Sequence, residues 1–137
     1  QAQILHLMRD LQAEFGMSVI FITHDMGVIA QVADEVAVMY LGRVVERGPT
    51  RSIISAPRHP YTVGLLEAIP RLDSRAKRLS PIPGDIPSPS QKPTGCPFHT
   101  RCRQVQRGLC DHAQPVERHV GGGHYVSCVL HQDGDAA

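Results

Sequence analysis

The stretch Val19-Ile20-Phe21-Ile22-Thr23-His24-Asp25 decides how the rest of the chain is read. An apolar run rich in β-branched residues stops abruptly at Thr-His-Asp. With Met17 and Ser18 it makes Met17–Thr23, the composition of a strand buried on both faces of a sheet. Asp25 can cap a following helix, whose apolar positions are Met26, Ile29, Val32 and Ala33. Upstream, Ile4, Leu7, Met8, Leu11 and Phe15 recur in steps of three and four, with Arg9, Gln12 and Glu14 off that stripe. This predicts a helix over 3–15, stopped by Gly16. Downstream, Val36–Tyr40 and Arg43–Arg47 read as two short strands joined through Leu41-Gly42, where glycine supplies a positive φ. Helix, buried strand, helix and strand in that order predict an α/β fold.

Composition narrows the function classes. The chain has 137 residues, the size of one ordinary domain, and a formal net charge of +1. That near-neutral balance offers no basic surface for nucleic acid. No apolar run reaches the roughly 18 residues of a membrane-spanning helix, and no signal peptide is recognisable. The sequence opens at Gln1 in what reads as mid-helix, so we expect a piece of a longer protein.

Beyond the hairpin the chain changes character. Pro49-Thr50 opens a short helical stretch over Arg51–Ser55, which Pro57-Arg58-His59-Pro60 interrupts. His59-Pro60-Tyr61-Thr62 then punctuates a new helix start, and Tyr61–Ile69 carries Leu65, Leu66 and Ile69 up to a stop at Pro70. From Arg71 to Gly95 periodicity fades, and the prolines between Pro81 and Pro93 make a stiff extended connector. Gly121-Gly122-Gly123 reads as a flexible turn, and Gln132–Ala137 as a frayed tail.

All four cysteines fall after residue 95, at Cys96, Cys102, Cys110 and Cys128, spaced C-x5-C-x7-C-x17-C. In a chain with no secretion signal, clustered thiols point first to a tetrathiolate metal site, with two disulfides or unliganded thiols as the other readings. Paired C-x2-C knuckles and ferredoxin spacings are both absent, so spacing alone does not choose zinc from an iron–sulfur cluster. His99, His112, His119, His124 and His131 lie nearby. We read them as solvated or supporting residues that could stand in as ligands.

His24 sits where open α/β sheets bind ligands, at the carboxyl end of the expected strand, and the helix start behind it favours an anion. A lone strand-end histidine with no ligand is the plain alternative. The surroundings carry a resemblance. Val19–Asp25, then Ala33-Asp34-Glu35-Val36-Ala37-Val38-Met39, then Gly42-Arg43-Val44-Val45-Glu46-Arg47-Gly48 resemble the switch-histidine region of ABC-type ATPases. The later motifs resemble the carboxyl-terminal extension of the oligopeptide/dipeptide (and nickel) importer branch. They are Gly48-Pro49-Thr50, His59-Pro60-Tyr61-Thr62, Ile69-Pro70, Ile82-Pro83-Gly84, Pro87-Ser88-Pro89, Gly95–Cys102 and Gly123–Cys128.

The resemblance implies an α/β fold: the C-terminal part of a P-loop-type ABC ATPase domain, plus a proline-linked, cysteine-rich metal-binding extension. The implied segments are 1–48 for the ATPase core, 49–95 for the connector, 96–131 for the four-cysteine extension and 132–137 for the tail. It implies that His24 contacts the γ-phosphate of ATP and helps to orient the attacking water. It also implies that Cys96, Cys102, Cys110 and Cys128 hold a 4Fe-4S cluster, with zinc as the alternative. Implied partners are a second ABC ATPase subunit, two transmembrane permeases and an extracytoplasmic peptide-binding protein, at the cytoplasmic face of the cell membrane. ATP and Mg²⁺ belong to the intact subunit. No Gly-x-x-x-x-Gly-Lys-Ser/Thr occurs in these 137 residues, so we expect no ATP hydrolysis from them alone. The other functional class is a truncated, non-enzymatic metal-binding module.

Overall fold

The computed structural model describes residues 2–69 and 81–132. The helix stop expected at Pro70, the first part of the aperiodic stretch from Arg71 and the tail beyond Gln132 lie outside the described residues.

Helix α1 spans Ala2–Phe15, as its apolar stripe predicts, and Gly16 ends it at φ +62°. Asp25 begins α2, Met26–Val32, by accepting hydrogen bonds from the N–H groups of Gly27 (2.8 Å) and Val28 (3.1 Å). Strands β1 (Glu35–Tyr40) and β2 (Arg43–Pro49) form the expected hairpin. Leu41 and Gly42, at φ +47° and +78°, make the two-residue turn whose twist suits antiparallel strands. Helix α3 covers Thr50–Ser55 and α4 covers Pro60–Glu67, ending two residues before the expected Ile69.

The expected strand at 17–23 is corrected. This segment has no strand assignment, and Ile20 and Ile22 are 89% and 96% exposed. A strand buried on both faces needs a hydrogen-bonded neighbour on each edge and a covering layer above and below. The sheet among the described residues is antiparallel, in the order β1-β2-β4-β3, and supplies neither to residues 17–23. The α1 residues Ile4, Leu7 and Phe15 are exposed for the same reason.

Sequence patterning did not anticipate β3 (Arg118–His119) and β4 (Tyr125–Val126). Two-residue strands carry no periodicity to detect. Their pairing has a large consequence, because β4 adds to the free edge of β2, matching Glu46 to Val126 and Arg47 to Tyr125. The cysteine region is thereby woven into the hairpin's sheet. The Ser127 N–H donates to the Val45 carbonyl (2.9 Å) just beyond the ladder.

A register shift in β2 opposite Val38/Met39 explains an odd burial pattern. Val45 and Glu46 are neighbours yet both buried. In a regular strand they would face opposite sides; a bulge turns both inward. The core they enter comprises Val36, Val38, Tyr40, Ile53, Phe98, Cys96 and Cys110. Tyr40 meets Tyr61 and Phe98 edge-on and those two rings lie tilted to each other, with ring centroids 4.8–5.2 Å apart, joining hairpin, α4 and cysteine region.

Gly95 fixes how the cysteine region begins. Its φ is +75°, and a Cβ there would lie 2.2 Å from the Cys110 carbonyl oxygen. That close approach lets the Cys96 N–H donate to the same carbonyl at 2.7 Å, so the loop from Cys96 to Cys110 closes on itself.

Candidate functional site

Three groups of chemically capable residues stand out: His24, the cysteines, and a buried polar node centred on Glu46.

His24 lies in the turn that enters α2. Asp25 on one side caps the helix, and its own N–H donates to Thr23 Oγ1 at 3.0 Å. Met26 on the other side is buried and anchors the helix start. The imidazole itself is exposed. The sequence thus holds the backbone on both sides of His24 and leaves its ring free to meet something outside the described residues.

Glu46 is the feature that sequence reading missed. It is 1% exposed, and its carboxylate accepts three hydrogen bonds. The Arg58 N–H donates to Oε1 at 2.7 Å, the His59 N–H to Oε2 at 2.9 Å, and His124 Nε2 to Oε1 at 2.6 Å. One side chain on β2 therefore ties down the start of α4 and the β3–β4 turn of the cysteine region. The bulge that turns Glu46 inward has no sequence signature; a glutamate in Val44-Val45-Glu46-Arg47 reads as an exposed strand residue. His124, read from sequence as a solvated residue or spare ligand, is instead buried against this carboxylate.

His59 caps α4. Its Nδ1 accepts the Tyr61 N–H at 3.1 Å, so the ring is neutral and its proton resides on Nε2. The residue is 1% exposed, and Nε2 has no hydrogen-bond partner among the described residues. Burial drives its pKa down from the usual histidine value to about 4, against the opposing pull of Glu46. The sign of the effect on stability follows directly. Between pH 6.5 and about 4 the unfolded chain binds the proton that the folded chain refuses, so stability falls as pH falls through that window. We expect the unfolding free energy at pH 5 to be about 2 kcal/mol below that at pH 7 in urea melts, and His59→Asn to remove most of that difference.

An outer clamp reinforces the same junction. Arg47 donates from Nε and Nη2 to the two Glu117 carboxylate oxygens at 2.7 and 2.9 Å, and its guanidinium lies 4.0 Å from the Tyr125 ring centroid. These groups are solvent-exposed, so the pair adds little to stability.

Cys96, Cys110 and Cys128 are buried, and Cys102 is half-buried. No two of them form a disulfide. Their sulfurs lie within one another's field: Cys96, Cys102 and Cys110 each disfavour ionisation of Cys128. Burial is the larger cause, pushing the Cys128 thiol up to about 11 and those of Cys96 and Cys102 above their ordinary value. Backbone N–H groups pull the other way, with Phe98 and His99 at Cys96, Gln104 at Cys102 and Leu130 at Cys128. The Gln106 N–H donates to Cys110 Sγ at 3.3 Å.

The expectation of a ready-made metal-binding extension is not carried by this arrangement. Among the described residues, no three His, Cys, Asp or Glu side chains are grouped to hold a metal ion. The four sulfurs feel one another's field, yet no three of them, alone or with a nearby His, Asp or Glu, are grouped to share one ion. The donor set, four thiols, is of the kind thiophilic metals take, and Cys110 Sγ already accepts a backbone N–H. Four of the five neighbouring histidines are engaged elsewhere, His124 with Glu46. His99 Nδ1 donates to the Cys96 carbonyl (2.8 Å), His131 Nε2 to the Arg58 carbonyl (3.1 Å), and His119 Nε2 accepts the Gly123 N–H (3.2 Å).

Comparison with known proteins gives these features a context. Residues 45–110 match the family described as "Oligopeptide/dipeptide transporter, C-terminal region". That span holds Glu46, His59, Gly95 and three of the four cysteines. The "Dipeptide transport ATP-binding protein DppF" of Escherichia coli is 47% identical over 135 residues, covering 97% of this chain and 40% of the relative. The "Dipeptide transport ATP-binding protein DppD" of Bacillus subtilis is 48% identical over 132 residues, covering 95% of this chain and 38% of the relative. The "Oligopeptide transport ATP-binding protein OppD" of Salmonella typhimurium is 46% identical over 117 residues, covering 85% and 35%. This chain therefore spans well under half the length of these relatives. It belongs to the family of ABC-type peptide-importer ATP-binding proteins and carries that family's carboxyl-terminal region.

Proposed function

We propose that this chain works as part of the ATP-hydrolysing subunit of a peptide importer. The observation that carries the reading is the 46–48% identity to dipeptide and oligopeptide transport ATP-binding proteins over most of the chain. In this role His24 donates a hydrogen bond to the γ-phosphate of ATP and helps to orient the attacking water. Phosphoryl transfer asks little covalent chemistry of the protein, so positioning and charge stabilisation are what such a residue supplies. The fixed backbone on either side of His24 and its free ring suit that task. The apolar 17–23 segment supports it too, because an apolar run this exposed calls for a covering partner such as the rest of an ATPase domain would supply.

Mg²⁺ and the remaining phosphate contacts come from the intact subunit in this reading. Its partners are a second ATPase subunit and two membrane permeases, with an extracytoplasmic binding protein delivering peptide. The subunit docks at the cytoplasmic face of the membrane; no helix among the described residues is long and apolar enough to cross it. ATP turnover by these 137 residues alone is expected at background, since the sequence holds no phosphate-cradling loop. Turnover clearly above a no-protein control in a coupled phosphate-release assay would contradict this.

The four cysteines, in the same proposal, are the ligands of a structural metal centre, a 4Fe-4S cluster or alternatively zinc. Support comes from four unoxidised thiols, one of which, Cys110, accepts a backbone N–H, in a segment with little regular structure of its own. Metal binding supplies folding free energy to segments of this kind. Iron, acid-labile sulfide and zinc measured on anaerobically prepared chain decide the matter. About one centre per chain is the expected result, and a metal-free, colourless protein would refute it.

A further inference from the structure

Residues 81–87 have no helix or strand of their own. Among the described residues, every hydrogen bond to this stretch comes from one side chain, Arg101. Its Nε donates to the Pro83 carbonyl at 3.1 Å and its Nη2 to the Ile82 carbonyl at 3.2 Å. The rigid planar fork of a guanidinium suits two successive carbonyls in this way. A third donor, Nη1, reaches the Tyr40 hydroxyl oxygen on β1 at 3.4 Å.

Two glycines shape the seat. Gly64 lies inside α4, and a Cβ there would come within 2.8 Å of Ile82 Cγ1. The bare glycine leaves a notch that Ile82 fills, and Ile82 also packs against the core. At Gly84 the backbone turns with φ +81°, and a Cβ would lie 3.3 Å from Arg101 Cγ. The chain thus bends over the stem of the arginine that holds it. A cavity of about 160 Å³, whose lining includes Val63, Glu67, Ile82, Phe98 and Arg101, adjoins the contact. Few bonds and loose packing put this stretch among the parts of the fold that open first.

Arg101 ends the short turn His99–Arg101, in the loop between Cys96 and Cys102. The His99 N–H donates to the Cys96 carbonyl (3.0 Å), the Arg101 N–H to the Phe98 carbonyl (3.0 Å) and the Cys102 N–H to the His99 carbonyl (3.3 Å). The loop is therefore one small hydrogen-bonded unit. Cys102, the one thiol of the four that is only half-buried, follows Arg101 directly. We infer that residues 81–84 form a strap, latched onto α4 by Ile82 and Arg101 together, and that the latched strap restrains the Cys96–Cys102 turn and limits access to the Cys102 thiol. When the strap lifts, Arg101 loses two of its three acceptors, and only Tyr40 still tethers its side chain.

Gly64→Ala tests this from the far side of the contact. It favours α4 as a helix, meets Ile82 and no cysteine, and crowds the strap out of its notch. Arg101→Ala opens the same latch from the turn, and Ile82→Ala empties the notch without crowding it. The reduced full-length subunit is exposed briefly to N-ethylmaleimide, and modified Cys102 and Cys128 are counted by peptide mass, with urea melts run in parallel. Labelling tracks the population of the opened turn, so we expect each variant to label Cys102 roughly 10-fold faster than the parent. Cys128, outside the turn, keeps its parental rate, and Gly64→Ala combined with Arg101→Ala adds nothing further, because both release one latch. Parental labelling of Cys102 in Gly64→Ala and Ile82→Ala overturns the inference, even where Arg101→Ala labels faster, since the arginine would then act on the turn without the strap. A parallel rise at Cys102 and Cys128 also overturns it, because it reports general loosening of the fold.

Discussion

Replacing Glu46 by alanine is expected to lower the unfolding free energy by about 4–5 kcal/mol, enough to unfold most small domains. The size follows from the bonds lost. Three donors, the N–H groups of Arg58 and His59 and the Nε2–H of His124, converge on this one carboxylate. Truncation leaves all three without their acceptor; His59 and His124 are buried, where an unmet polar group is most costly. A cavity the size of the lost side chain adds to the cost. Glu46→Gln, nearly the same in shape, retains one acceptor oxygen but turns an amide N–H₂ toward a donor. A smaller loss of about 2 kcal/mol is expected. The loss in Glu46→Ala has a direction in the fold as well. The His124 turn and the start of α4 lose their common anchor, so amide exchange should rise first in residues 58–62 and 118–126. Thermal or urea melts of the two variants beside the parent measure the effect. A loss below about 1 kcal/mol in Glu46→Ala would mean that the node is not what joins hairpin and cysteine region.

How far the sequence could be read depends on the range of the interactions involved. Local patterns were legible. The stripe from Ile4 to Phe15 marks α1, Asp25 marks the start of α2, and Leu41-Gly42 marks the hairpin turn. All three are set by residues within a few positions of one another. Met17–Thr23 reads locally as a strand buried on both faces, and that reading fails because no strand of the described sheet pairs with it and nothing covers it. The pairing of Glu46 with Val126, and the bond from His124 to Glu46, span 78–80 residues and leave no local trace. Only the bulge in β2 brings that glutamate inside, and a bulge changes no residue type. His59 shows the same limit differently. Its sequence context announces a helix start, which it is, but nothing local indicates that its second nitrogen is buried without a partner. The cysteine spacing pointed first to a tetrathiolate metal site, and among the described residues the sulfurs are not grouped to hold an ion. It did not fix their arrangement, because the loop geometry is set by Gly95 against the Cys110 carbonyl and by contacts with the hairpin.

In the function proposed above, ATP turnover depends on His24, and its removal has the largest functional effect we expect. In that reading the imidazole contributes through one hydrogen bond aimed at the phosphoryl group being transferred, where charge moves as the bond to the leaving phosphate breaks. Interactions of that kind count mainly in the transition state. Losing one such donor typically costs about 10²- to 10³-fold in turnover, with little change in the affinity for the bound nucleotide. Folding should be spared, since the ring is exposed and the α2 cap belongs to Asp25. The decisive measurement is therefore the ATP turnover of the assembled importer built with the full-length subunit, comparing parent with His24→Ala. A fall of about 10²- to 10³-fold in kcat, with ATP binding retained within a few-fold, is the result we predict. A His24→Ala rate within about twofold of the parent would contradict the assignment of this residue, and with it the functional reading built on it.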